Sequence, residues 1–171
     1  MAGYQLDECM DYKRLALACQ RQGLTTVYRF PRSLKTRIGT KDPEVVERLL
    51  PKGRALLTSD RTFADDNAGV IDEGHPGIVI VANFAKKPLR SKDVERTLAT
   101  FKGRFPDWPN IDPSNSVIEI SEIGVQVSRV LDHKVEICAL LTLDMPDWIE
   151  RFRRALTFNI NLGNPSSPSI D

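Results

Sequence analysis

Acidic residues that could act together occur in three places in the first part of the chain: Asp7 with Glu8, Asp42, and Asp60 followed by Asp65 and Asp66. Carboxylates crowded into one site repel one another unless a cation neutralises them. Hard oxygen donors favour Mg²⁺ or Mn²⁺, with water and substrate phosphate completing the shell. Such an ion acidifies water and stabilises charge on a phosphoryl oxygen, so the implied chemistry is phosphodiester hydrolysis by in-line attack of water. No Ser/His/Asp or Cys/His set competes with it. Each acid also has a plainer role open to it: Asp42 as a helix cap, Asp60 as a turn former, Asp7 and Glu8 as solvated residues.

Whether the acids meet depends on the elements that carry them. Tyr4 to Glu8 reads as a very short strand ending on acids, and Met10 to Gln22 as an amphipathic helix closed by Gly23. Thr25 to Phe30 is β-branched and aromatic, a second strand stopped by Pro31. Asp42-Pro43-Glu44 is a helix start, with an acidic N-cap and proline at the first helical position. Ala55 to Asp60 and Gly77 to Ala82 are apolar without alternation, as expected of strands buried on both faces. A further helix is expected over Ser91 to Phe101. Strands alternating with helices predict an α/β fold with a parallel sheet, and chemistry in such sheets collects beyond the carboxyl ends of the strands. Asp7 and Asp60 fall at such ends, and Asp42 starts a helix that can face the same edge.

After a loop rich in Pro, Asp and Asn (Phe105 to Ser116), Val117 to Val130 alternates, with Gly124 as a bulge. Asp132-His133 reads as a turn, Val135 to Leu143 as the returning strand and Pro146 to Phe158 as a closing helix. This predicts residues 1–104 as the main domain, 105–162 as a hairpin-and-helix extension and 163–171 as a disordered tail.

Formal net charge is +1, from 24 Lys and Arg against 23 Asp and Glu, so binding to nucleic acid through bulk charge is excluded. A local basic stretch remains: Arg29, Arg32, Lys35, Arg37 and Lys41 lead to Asp42 and can either contact phosphates or form a solvated loop. Lys86, Lys87, Arg90 and Lys92 form a second group, and Arg151, Arg153 and Arg154 a third that solvates its helix face. Cys9 and Cys19 fall in a segment read as helical, as small buried residues, and with Cys138 they show neither disulfide nor zinc spacing. Trp108 is expected to anchor its loop or stack on a base, and Trp148 to pack in the core. His75 and His133 read as polar turn residues. No segment is apolar enough over sufficient length to span a bilayer, and a reduced cytoplasm is the simplest expectation.

The combined pattern resembles the PIN-like domain family, in the subgroup found as the toxin half of bacterial toxin–antitoxin pairs. Leu6-Asp7-Glu8, a helix and then Gly23 are similar to the family's opening "LDE", helix and "G-h-x-V". Lys41-Asp42-Pro43-Glu44-Val45-Val46 is similar to its "sDxxI" helix start. Ala55 to Phe63, reading ALLTSDRTF, is similar to its "h-h-h-T-x-D-x-D-F". Order and spacing agree over residues 4–85, about half the chain. The resemblance implies a PIN-like, Rossmannoid sheet and a metal-dependent ribonuclease using Mg²⁺ or Mn²⁺. It implies Asp7, Asp42 and Asp60 as catalytic metal-binding carboxylates, with Glu8 beside them, and RNA as substrate. Thr58 would orient the site through its hydroxyl on the substrate side, and Arg32, Lys35, Arg37 and Lys41 would hold RNA. The toxin subgroup adds an antitoxin as partner, and the C-terminal hairpin offers a homodimer surface. One departure matters: the family often has Asp where Thr62 stands, and Asp65 or Asp66 would have to supply that acid. A non-catalytic PIN-like module that binds RNA or protein is therefore the competing reading. A phosphatase ranks last, because no Asp-x-Asp pair follows a strand.

Overall fold

The computed structural model describes residues 3–10, 13–24, 26–29, 39, 41–71, 74–82 and 91–157. Among the described residues, seven strands form one sheet: β1 (Tyr4–Leu6), β2 (Val27–Tyr28), β3 (Ala55–Thr58), β4 (Ile78–Val81), β5 (Val117–Ile120), β6 (Gly124–Leu131) and β7 (Lys134–Thr142). Their order is β2-β1-β3-β4-β5-β6-β7. The first five run parallel, and β6 and β7 continue the sheet antiparallel. Among the described residues, five α-helices flank it: α1 (Lys13–Arg21), α2 (Asp42–Leu49), α3 (Phe63–Asp66), α4 (Ser91–Arg104) and α5 (Trp148–Thr157). The expected α/β class holds. Among the described residues, no helix is long and apolar enough to cross a membrane.

Every residue of β3 and β4 is buried, and alternate residues serve opposite layers. Leu6, Leu57, Val79 and Val81 pack with α1, α4 and α5, whereas Leu56, Ile78 and Ile80 pack with α2 and α3. On the first side, the Phe101 ring lies 5.6 to 6.2 Å from those of Phe105, Trp108, Trp148 and Phe152. Trp108 and Trp148 are thus core residues, and this cluster ties α5 to α4. Residues 105–157 share the sheet and core of the first 104, so the division expected at 104/105 separates no independent layer.

Local chemistry sets the element ends. Gly23, at φ +96°, closes α1: its N–H donates to the Gln20 carbonyl, and the Leu24 N–H to that of Cys19. This paired pattern is the glycine C-cap expected there. In the other connection, Asp132 and His133 both take left-handed conformations (φ 47° and 61°), as a two-residue hairpin turn requires.

Several boundaries differ from the sequence reading. Residues 117–130 are two strands, not one: Ser121 accepts the Gly124 N–H on its hydroxyl and the chain reverses there, while the ladder irregularity lies at Val127/Ser128. Segment 63–66, read as loop, is a short helix. Glu8 leaves the first strand for a 3₁₀ turn, Glu8–Met10. The Lys41 carbonyl accepts the Val45 N–H, so Lys41 holds the cap position and Asp42 lies in the first turn of α2. Thr25, Phe30, Arg32, Lys35, Arg37, Lys86, Lys87, Arg90 and the tail at 163–171 lie outside the described residues.

His75 is buried, not a solvated turn residue. Its Nδ1 accepts the Gly77 N–H at 3.2 Å, and Nε2 has no partner among the described residues. Burial lowers its pKa from 6.5 to about 4. The unfolded chain therefore binds a proton that the folded chain refuses, and stability falls as pH drops from about 6.5 towards about 4. Urea unfolding across that range should show this loss, about 3 kcal/mol at most, with a visibly shallower slope in His75→Asn. Equal slopes would show that His75 titrates normally.

Candidate functional site

The chain leaves β1 for β2 on one side and returns to β3 on the other, so β1 and β3 flank the point where strand order reverses. Beyond the carboxyl ends of two such strands a crevice opens that neighbouring helices leave uncovered. The pairing Leu6↔Leu57, extended by the Asp7 N–H to Leu57 carbonyl bond at 3.0 Å, sets Asp7 beside Thr58 and Asp60. Among the described residues, α2 is the next element after β2, and it begins with Asp42.

Asp7 is 6% exposed, and its carboxylate is held on both oxygens. Oδ1 accepts the Glu8 N–H at 2.7 Å. Oδ2 accepts the Thr58 hydroxyl at 2.8 Å and the Cys9 thiol at 3.3 Å. Thr58 is fully buried, and its oxygen also accepts the Asp60 N–H at 3.0 Å. One hydroxyl thus links the acid after β1 to the backbone of the acid after β3. Its burial gives Thr58 an orienting role and removes it from direct contact with a substrate.

Asp60 Oδ1 accepts the Thr62 N–H at 2.9 Å, an Asx turn that leads into α3. The Thr62 hydroxyl lies 3.1 Å from Asp60 Oδ1 and 2.7 Å from Asp66 Oδ2, and its single proton serves one or the other. Asp66, not Asp65, is therefore the acid joined to this site. Asp65 is exposed, and among the described residues its side chain makes no hydrogen bond or ion pair.

Asp42 accepts the Asn67 side-chain amide at 3.5 Å, and Asn67 is fixed in turn by the Phe63 carbonyl at 2.7 Å. The Asp42 pKa is raised, first by partial desolvation and then by the charges of Asp7, Asp60 and Glu8, against the lowering effect of Asn67. Four acids from three places in the chain therefore share one electrostatic environment. Glu8 is exposed and accepts the Gly39 N–H at 2.7 Å, while Lys41 stands exposed immediately before Asp42.

Cys9 belongs to this site and not to a helix core. Its thiol lies 3.3 Å from the Ser59 hydroxyl and 3.5 Å from that of Thr58, and burial, followed by the Asp7 charge, raises its pKa. Cys19 is the buried core residue expected. Asn67 had no signal in the sequence beyond its place after an acidic pair; Cys9 had only its spacing of two from Asp7.

The donors suit a hard divalent cation in kind: all are carboxylate oxygens, and their mutual repulsion is what a cation relieves. They do not form a closed cage, for among the described residues no three Asp, Glu, His or Cys side chains are grouped as ligands of one ion. A Mg²⁺ or Mn²⁺ that retains most of its water and touches one or two carboxylates fits this arrangement better than a fully dehydrated ion.

The fold and site define an α/β protein with a mostly parallel, Rossmann-like sheet and a group of acidic side chains at its switch point. No family model matches the chain, and neither a curated protein nor a solved structure matches it. The electrostatic coupling is open to direct test. Carboxyl-carbon NMR titration should find Asp42 above the ordinary carboxylate range and bring it down in Asp7→Asn. An Asp42 titration unaffected by Asp7→Asn would separate the two acids.

Proposed function

We propose that this protein is a PIN-like, divalent-metal-dependent endoribonuclease, working in the manner of toxin-type members of that family. The observation that carries the reading is the placement of Asp7 and Asp60 on one Thr58 hydroxyl at the sheet's switch point. Beside them, the pKa of Asp42 is raised first by desolvation and also by the charges of Asp7, Asp60 and Glu8. The motif resemblance over residues 4–85 supplies the choice of RNA as substrate, and an antitoxin partner follows from the same resemblance.

A divalent cation that keeps most of its water and touches one or two of Asp7, Asp42 and Asp60 would offset their charge, acidify water and steady charge building on a phosphoryl oxygen. The chain's own part is positioning. Thr58 pins one oxygen of Asp7 and holds the Asp60 backbone beside it. Asn67 orients Asp42, and Thr62 holds Asp60 through its Asx turn. Lys41 offers a positive charge to an RNA phosphate next to Asp42. Asp66, linked through Thr62, supplies the acid that the family often carries at position 62 itself.

A second reading, a non-catalytic module that binds RNA or a protein, is favoured by one observation: hydrogen bonds from the protein already occupy both oxygens of Asp7. A mixed pool of structured and single-stranded RNAs separates the two. With Mn²⁺ or Mg²⁺, the wild type should cut and EDTA should stop it, while folded Asp60→Asn should lose at least about 100-fold in rate. RNA retention without cleavage, unchanged in EDTA, would establish the binding module instead.

A further inference from the structure

A second feature lies far from the acids in the sheet order, at the opposite end from β2. Among the described residues β7 has a single strand neighbour, β6, so one edge of its nine residues is unpaired in the sheet. Such an edge invites pairing unless charge, proline or a covering element blocks it. Beside it runs a groove of about 590 Å³, lined by residues 138–141 of β7, by Arg129 and by Arg151, Arg154 and Ala155 of α5. β7 carries one extra residue, Cys138, between Ile137 opposite Ser128 and Ala139 opposite Val127. Ile137 and Leu140 therefore share one face and Ala139 and Leu141 the other, and a cavity touching residues 139–141 reaches both faces across the strand's edge. Among the described residues no acid lines the groove, although Arg154 is paired with Glu150 at 3.0 Å and Glu136 stands opposite Arg129 in the ladder. An acidic ligand thus meets Arg151 first and exchanges with Glu150 at Arg154.

The groove's two sides differ in chemistry. Ala139 and Leu141 pair with Val127 and Val125 on the α5 side, where Arg129 reaches the Ala155 carbonyl at 3.3 Å. Arg129 is only 7% exposed, and Arg151 makes no ion pair among the described residues. On the other face, Ile137 and Leu140 are 64% and 71% exposed, a large apolar area for a solvated sheet.

We propose that this groove takes an extended acidic segment of a partner protein, added to β7 as an eighth strand. Its backbone pairs with the free edge of β7. Its acidic side chains, at alternate positions, reach Arg151 and Arg154 on the α5 face. The intervening apolar side chains cover Ile137 and Leu140 on the other. A second copy of this chain is the poorer occupant: a two-fold axis at β7 would set the two α5 arginine rows side by side, where like charges repel.

The test is fluorescence anisotropy on the full-length protein. The probe is a nine-residue labelled peptide alternating Glu and Val, matched to the nine residues of β7. Controls are the Lys/Val counterpart, the Glu/Val peptide N-methylated at every second amide, and a labelled single-stranded RNA. Binding of Glu/Val alone, weakened at least about ten-fold in folded Arg151→Glu and Arg151→Glu/Arg154→Glu, supports the proposal. Protection of β7 amides from hydrogen exchange on binding supports strand addition, and a substitution on exposed α5 residues leaves the core intact for the comparison. Equal binding of the N-methylated peptide would overturn strand pairing. Binding of RNA but not Glu/Val peptide, lost in the same variants, would overturn the protein partner. A concentration-dependent dimer that protects β7 would give the edge to a second copy.

Discussion

The hydroxyl of Thr58 is the point on which the acidic site depends. It donates to Asp7 and accepts from the Asp60 backbone, so it fixes the spacing between the residues that follow β1 and β3. A hydrogen bond to an ionised carboxylate favours the charged form. Here it holds a nearly buried acid close to other acids, and half-buried Asp42 is raised first by desolvation and then by the charges of that group. Valine at position 58 would preserve the volume and remove both bonds. The whole first half of the sheet serves this geometry: Leu6 against Leu57 sets the register, and α2 brings in the third acid from the opposite side of the crossover.

The rest of the chain supports this centre by extending its sheet. β5 pairs with β4 along its full length, and β6 and β7 then turn antiparallel. An aromatic cluster around Phe101 locks α4 to α5, so the later elements stiffen the layer behind β1, β3 and β4. The construction leaves β7 as an edge, with apolar residues exposed on one face and arginines of α5 on the other. The sheet thus carries an acidic site at its reversal point and a basic groove at one margin.

Much of this was legible from residue types. Apolar runs without alternation marked β3 and β4, and Gly23 and Asp132-His133 marked chain reversals by their backbone preferences. The site was legible as three acids at strand and helix ends. What the sequence hid were features that depend on neighbours in space. His75, between Gly74 and Pro76, reads as a turn residue until Val46, Leu49 and Phe63 are seen to enclose it. α3 is only four residues long, too short to show a helical period. The step from Ile120 to Ile123 breaks the two-residue alternation, and that break marks a reversal, not a bulge. Cys9 looked like an apolar helix residue because the helix begins later, at Lys13, and a 3₁₀ turn carries the thiol to Asp7 instead. Asp42 looked like a cap because caps are local, whereas its partners Asn67, Asp7 and Asp60 are distant in sequence.

The function proposed for the acidic site requires that its carboxylates bind a cation together. Titration of the protein with Mn²⁺, followed by the EPR signal of the free ion, tests this without any substrate. The expected result is one tightly held Mn²⁺ per chain, displaced by Mg²⁺ and lost in both Asp7→Asn and Asp60→Asn. Relaxation broadening should centre on residues 7, 42 and 60. A folded protein that leaves Mn²⁺ free in solution, or binds it equally well after both substitutions, would contradict the account.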